Sequence, residues 1–121
     1  MTLRDVELKA QQRITRAFID ADPVIVVLER RTRVPDGAGG FTSSPVTQIP
    51  QRFRLIPQED GATARTTAEG ETATPEFMLM GETGCNMRRY DEFALNGTRF
   101  QVVYIDDRQH EIKGEVIRLG N

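Results

Sequence analysis

The sequence predicts a mainly β domain, a small antiparallel barrel or sandwich, with an N-terminal α-helix and one long polar loop. Three observations predict it. About six short runs rich in β-branched and aromatic residues follow one another, with turn signals between them. The apolar spacing changes after Pro23 from threes and fours to runs and alternation. The composition, 38% hydrophobic and 28% charged over 121 residues, is ordinary for one folded domain. The expected division is a helix over 2–21, a β-barrel over 24–57 and 76–119, and the loop over 58–75, all in one domain over 1–121.

The helix comes first. Leu3, Val6, Ala10, Ile14, Ala17, Phe18 and Ala21 recur at spacings of three and four and define one apolar stripe. Thr2 is placed to cap it, with Asp5 completing a capping box. Asp22-Pro23 ends it, because a residue before proline is pushed out of the α region. Leu8 and Ile19 lie off the stripe. They are either scattered surface apolars or, with Arg13, a second face for a partner.

The strands follow. Val24-Ile25-Val26-Val27-Leu28 is a continuous run that suits a strand covered on both faces, extended by Glu29 to Arg33 as an exposed arm. Val34-Pro35-Asp36-Gly37-Ala38-Gly39-Gly40 is a turn. The return from Phe41 to Thr47 must place Pro45 at an edge or a bulge. In Arg52 to Pro57, residues Phe53, Leu55 and Pro57 share a face. Glu76 to Met80 is a short strand. Arg89 to Leu95 leads into Asn96-Gly97, a hairpin turn, and Phe100 to Ile105 returns with Phe100, Val102 and Tyr104 on one face. Glu111 to Leu119 closes the chain, with Gly114 marking a bulge.

Between these strands, residues 58–75 read QEDGATARTTAEGETATP. The segment has no large apolar residue, and Glu59, Asp60, Glu69 and Glu71 outweigh Arg65. Such a segment cannot bury itself, so it is expected to be mobile or ordered only by a partner.

Composition narrows the function. A net charge of −2 argues against a dedicated nucleic-acid binder. One Cys and one His rule out an internal disulfide and an all-Cys/His metal site. No apolar run approaches the ~20 residues of a membrane helix, and MTLRDVELKAQQ is too polar for a secretory signal. His110, beside the Asp106-Asp107 turn, has no nucleophile nearby in sequence and reads as a surface loop histidine, and Cys85 reads as a half-buried or loop thiol without function. The pairs Asp91-Glu92 and Asp106-Asp107 read as solvated turn residues, and Gly37 to Gly40 lacks the helix a phosphate cradle needs. No catalytic residue, metal or cofactor is therefore expected. Of the 16 basic residues, 14 are arginines, which suit interfaces. Arg30, Arg31 and Arg33, with Arg52 and Arg54, make a basic ridge if their two strands pair, facing phosphates or acidic groups of a neighbouring subunit. With no Trp and two Tyr, a base-stacking surface is poorly supported.

Two segments carry a resemblance. Arg30-Arg31-Thr32-Arg33 followed by Val34-Pro35-Asp36-Gly37-Ala38-Gly39-Gly40-Phe41 resembles the opening hairpin of tailed-phage head–tail joining proteins, also called head closure or stopper proteins. Arg89-Tyr90-Asp91-Glu92-Phe93 through Asn96-Gly97-Thr98-Arg99-Phe100-Gln101-Val102 resembles a later hairpin of that family. The likeness covers roughly residues 24 to 119. Phe41 stands near where many members carry a tryptophan, and the N-terminal helix is not shared by all. The resemblance implies an SH3-like, stopper-type barrel that forms a six- or twelve-fold ring. That ring would sit in the virion, assembled in the host cytoplasm, between a portal or adaptor on the head side and a tail terminator or tail tube. It also implies a loop that enters the channel against the packaged DNA end. Here that loop is 58–75, with Glu59, Asp60, Arg65, Thr66, Thr67, Glu69 and Glu71. Leu8, Arg13, Ile19, Arg30, Arg31, Arg33, Arg52 and Arg54 are the expected subunit or partner interface. A tail-completion ring and an SH3- or OB-like binding module are the alternatives.

Overall fold

The computed structural model describes residues 2–35, 37–58 and 62–119, with the side chains of 32–35 and 41–43 outside that description. Helix α1 spans Leu3–Ala21. Thr2 Oγ1 accepts from the Asp5 amide at 3.2 Å and Asp5 Oδ2 accepts from the Thr2 amide at 3.1 Å, the expected capping box. Among the described residues ten strands follow: β1 (Val24–Val26), β2 (Glu29–Pro35), β3 (Phe41–Thr47), β4 (Gln51–Pro57), β5 (Arg65–Thr66), β6 (Thr72–Ala73), β7 (Phe77–Glu82), β8 (Glu92–Leu95), β9 (Thr98–Asp107) and β10 (Glu111–Arg118). Eight of them form one antiparallel sheet in the order β1-β4-β7-β10-β9-β8-β2-β3, and β5 and β6 pair separately. The large sheet curls into a half-barrel, so that β1 comes back against β8.

The curl encloses the core. Leu28, Phe53, Leu79, Val102 and Val116 are fully buried inside it. Phe93 stacks on Phe100 with ring centroids 5.1 Å apart, and Phe77 meets Phe100 edge-on at 5.7 Å. Two strand glycines make room for this packing. A Cβ at Gly81 would lie 2.6 Å from Cys85 Sγ and 2.7 Å from the Phe53 ring, and one at Gly114 would lie 2.7 Å from Met87 Sδ. Gly114 is therefore a close-approach glycine, not the expected bulge residue.

The bulge sits opposite. Glu115 pairs with Tyr104, but Val116 pairs with Val102, which leaves Val103 as the extra residue on β9. The extra residue reverses the pleat. Phe100 and Val102 point into the core as expected, whereas Tyr104 turns outward and Ile105 packs inward. The hairpin turn at Asn96-Gly97 forms as expected, with both residues at positive φ and Leu95 opposite Thr98.

The run from Val24 is not one strand. β1 pairs with β4, the chain bends at Val27-Leu28, and β2 pairs with β3 and β8. Ile25 is exposed between the buried Val26 and half-buried Val24, so the run alternates and is not covered on both faces. Pro45 lies in β3, the end strand, where a missing amide is tolerated.

Candidate functional site

The helix shows where surface chemistry and expectation part. Thr15 and Ile19 are its buried residues, with Leu8 and Gln12 half-buried in the same line. This face packs on β4 and β7. Spacings of 4, 3 and 4 from Leu8 to Ile19 make it one continuous face. Leu3, Val6 and Ile14 of the apolar stripe point nearly the opposite way and are exposed, while Phe18 lies at the flank of the packed face.

Polar partners far along the chain fix this orientation. Arg54 Nη1 donates to the Phe18 carbonyl at 2.8 Å, and its guanidinium lies 3.9 Å from the Phe18 ring centre. Arg52 reaches Asp20 at 2.6 Å and Glu82 at 3.3 Å, while Arg16 Nε donates to Glu82 Oε1 at 2.8 Å. Gln12 Nε2 donates to the Gln109 carbonyl at 3.2 Å. Two arginines thus stand at the carbonyl end of a helix that has no basic residue in its own last turn. The Arg16 hydrogen bond holds Glu82 below the ordinary carboxylate range, despite some opposing burial.

These contacts revise the expected interface. Ile19 is fully buried and Leu8 half-buried inside this chain, so neither forms a free face for a partner. Arg52 and Arg54 hold their own helix. β2 and β4 do not pair, so no five-arginine ridge forms. Arg30 turns inward instead. Its Nε donates to Asp91 Oδ1 at 2.9 Å, and its Nη2 donates to Asp91 Oδ2 at 2.8 Å and Asn86 Oδ1 at 3.0 Å. Arg31 reaches Glu92 at 3.4 Å, and Arg99 bridges Glu92 and Glu29 at 3.2 and 3.1 Å. Asp91 and Glu92 are therefore buried ion-pair partners, not solvated turn residues. Arg13 stays exposed on the helix, and the side chain of Arg33 lies outside the described residues.

The polar loop is partly ordered by its own chain. β5 and β6 make a two-stranded hairpin, and Thr67 is buried at its turn. The Thr67 amide donates to the Glu71 carbonyl at 2.7 Å, and Thr67 Oγ1 accepts from the Glu71 amide at 3.1 Å. The hairpin lies on the outer face of β9 and β10. Arg65 Nη2 donates to Glu115 Oε2 at 2.8 Å, its guanidinium covers Tyr104 at 3.7 Å, and the Ala68 amide donates to Gln101 Oε1 at 3.1 Å. The bulge at Val103 is what presents Tyr104 to this arginine. Thr66, Glu69 and Glu71 remain exposed. Glu59 and Asp60 lie outside the described residues. Beside the hairpin is an open groove of about 460 Å³, walled by Gln58, Arg65, Tyr104, Lys113 and Glu115. Its charges already pair, Arg65 with Glu115 and Lys113 with Glu111.

Other candidates stay isolated. His110 Nε2 lies 3.3 Å from Glu111 Oε1. Burial, aided by Asp107 and Glu82, pushes the Cys85 thiol up to about 11, away from nucleophilic use at neutral pH. Among the described residues, no group of three or more His, Cys, Asp or Glu is placed to hold a metal ion. Both tyrosines are covered by arginines, Tyr104 by Arg65 and Tyr90 by Arg89.

What remains as candidate functional surface is the outward helix stripe and the hairpin tip. The stripe residues were visible in the sequence as a periodic set. Which side of the helix they occupy depended on Arg52, Arg54 and Glu82, which no local pattern connects to it.

No family model matches the chain, and no curated protein matches it. Among solved structures the chain is similar to one described as "Virion of native gene transfer agent (GTA) particle". The similarity has a TM-score of 0.49 at 21% identity, and covers 78% of this chain and 91% of that chain.

Proposed function

We propose that this chain is a structural subunit of a phage-type virion, in the head–tail connector. It would form a ring between a portal or adaptor and the tail, and help close the channel over the packaged DNA. Its role there is assembly and not catalysis.

The observation that carries the reading is the outward stripe of Leu3, Val6 and Ile14 on a helix fastened to the barrel by arginines, with Phe18 at its edge held under Arg54. A contiguous apolar face held rigidly toward solvent marks an assembly surface. The mainly β half-barrel and its two hairpins agree with the resemblance of residues 30–41 and 89–102. Within the loop, Arg65 is neutralised by Glu115, so Glu69 and Glu71 dominate the exposed tip. Several such tips converging on an axis would repel a DNA end. A nucleic-acid binding module is less well supported, because the tyrosines that stacking needs are already covered.

The test is electron microscopy of the chain co-expressed with the products of its neighbouring genes. Rings with density across the lumen, opened by deleting residues 62–74, are the expected result. A chain that remains monomeric with every neighbour would overturn the reading.

A further inference from the structure

We propose that the β5–β6 hairpin is a latch with two positions, seated on β9 and β10 as described or released into solvent, with Arg65 as its pin. The latch is a property of the single chain. Its use in a channel rests on the ring reading: the seated hairpin is folded against its own barrel, and release frees it to reach an axis.

The seat is poorly satisfied. Among the described residues, the buried side-chain polar atoms with no hydrogen-bond partner are Gln58 Oε1, Arg65 Nε and Gln101 Nε2. All three belong to this hairpin and its seat. Gln58 and Arg65 wall the same groove. Gln101 is fully buried and holds the Ala68 amide through its other amide atom, Oε1. The buried carboxylates elsewhere are paired: Asp91 with Arg30, Glu92 with Arg99, Glu111 with Lys113. Closing the hairpin thus seals polar atoms that water would serve, and each such atom costs at least what a good hydrogen bond returns. Release hydrates all three together.

Little holds the hairpin down against this cost. Residues 62–74 carry no large apolar side chain, so hydrophobic burial contributes little. The seated position rests on the 2.8 Å pair of Arg65 with Glu115, the Arg65 guanidinium over Tyr104, and the Ala68–Gln101 hydrogen bond. Two of these three are one side chain, and the pair keeps some solvent, with Arg65 26% and Glu115 16% exposed. Arg65 is also the cation that the Val103 bulge meets with an outward Tyr104. Away from the seat, β5 and β6 pair over only two residues each, and a two-stranded hairpin alone is marginal in water. Losing the seat therefore melts the hairpin, while the barrel beneath it keeps its own ladder.

The test is amide hydrogen exchange on the isolated full chain, which needs no ring. The reporters are the amides of Thr67, Ala68, Gly70 and Glu71, each bonded within the hairpin or to Gln101. The Tyr90 and Val102 amides, bonded to Val102 and Asp91 across the barrel, are the reference. Corrected for intrinsic rates, the hairpin amides should exchange about a hundred-fold faster than the reference, because they open without global unfolding. Arg65→Gln should speed the hairpin amides about ten-fold more and leave the reference amides and the circular dichroism unchanged. In the wild-type chain, 1 M sodium chloride should speed the hairpin amides about three-fold, since it screens the pair. Hairpin amides as protected as Val102 would overturn the latch. So would hairpin rates that respond to neither Arg65→Gln nor salt, or an Arg65→Gln variant that quickens Val102 equally. Any of these leaves the ring reading standing, and a chain that forms no rings but shows the expected exchange overturns the ring reading and leaves the latch.

Discussion

Arg30 and Asp91 form a two-pronged ion pair, 2.9 and 2.8 Å long, that joins β2 to the turn before β8 with the carboxylate only 1% exposed. The same Asp91 Oδ2 accepts the Arg88 amide at 2.8 Å, and Arg30 also holds Asn86. Asp91 raises the basicity of Arg30, chiefly through the hydrogen bond, so the guanidinium stays charged. One carboxylate thus closes the 88–91 turn, where Tyr90 sits at a φ of +73°, and anchors the base of the β2–β3 hairpin. Asp91→Ala leaves a partly buried cation and an unpaired amide. It should cost about 3–5 kcal/mol by urea denaturation. Arg30→Met combined with Asp91→Leu should cost less than Asp91→Ala alone, because no charge is then stranded. Equal costs would show that packing and not charge holds this corner.

Gly81 tests the core from the strand side. An added methyl would meet the Phe53 ring at 2.7 Å, and Phe53 is fully buried with nowhere to go. Gly81→Ala should destabilise by about 1–3 kcal/mol. Gly114→Ala should cost less, since its nearest neighbour is the flexible end of Met87. Thermal unfolding of the pair ranks them, and the reverse order would mean that Met87 is the more tightly held.

Local signals in the sequence were legible where structure is local. Thr2 with Asp5, Asn96-Gly97 and Pro45 each do what their chemistry dictates within a few residues. Three features were not legible, because their causes lie far away in the chain. The extra residue at Val103 reverses the pleat, so Tyr104 faces out although its spacing from Val102 placed it inside. The helix turns Leu3, Val6 and Ile14 to solvent because Arg52 and Glu82 grip its other sides and Arg54 pins Phe18 at the edge of the stripe, some 30 to 70 positions later. The 62–75 segment folds back because Gln101, Tyr104 and Glu115 offer it partners that its own composition lacks. For the candidate site this means that the stripe's residues were legible and its exposure was not.

Helix docking should be acid-labile. Glu82 bonds Arg16 and Arg52, and its carboxyl is held below its ordinary value of 4.5, first by the Arg16 hydrogen bond. A group with a depressed folded value contributes stability that is present above its ordinary value and is lost as pH falls through the folded one. Asp5 behaves alike at the other end of the helix, through the Thr2 backbone. Amide exchange of residues 3–21 should therefore quicken as pH falls below about 4.5, once corrected for intrinsic rates. Glu82→Gln should flatten that dependence for the C-terminal half of the helix and cost about 0.5–1 kcal/mol at neutral pH, as partly exposed pairs do. An unchanged pH dependence in this variant would assign the effect to Asp5.

Cys85 should be slow to alkylate in the folded protein. It is half-buried in the loop after β7, close to the carboxylates of Glu82 and Asp107, and burial followed by these charges puts its value at about 11. At pH 8 its thiolate fraction is then about ninety-fold below that of a thiol at the ordinary value of 9.0. Iodoacetamide should label the native chain at a correspondingly lower rate than the urea-unfolded chain. The native rate should climb about tenfold per pH unit until pH approaches 11. Asp107→Asn should raise the native rate at pH 8 modestly, because it removes the second cause and leaves the first. A native rate equal to the unfolded one would mean that the loop after β7 opens freely, and that the close contact of Cys85 with Gly81 does not hold it.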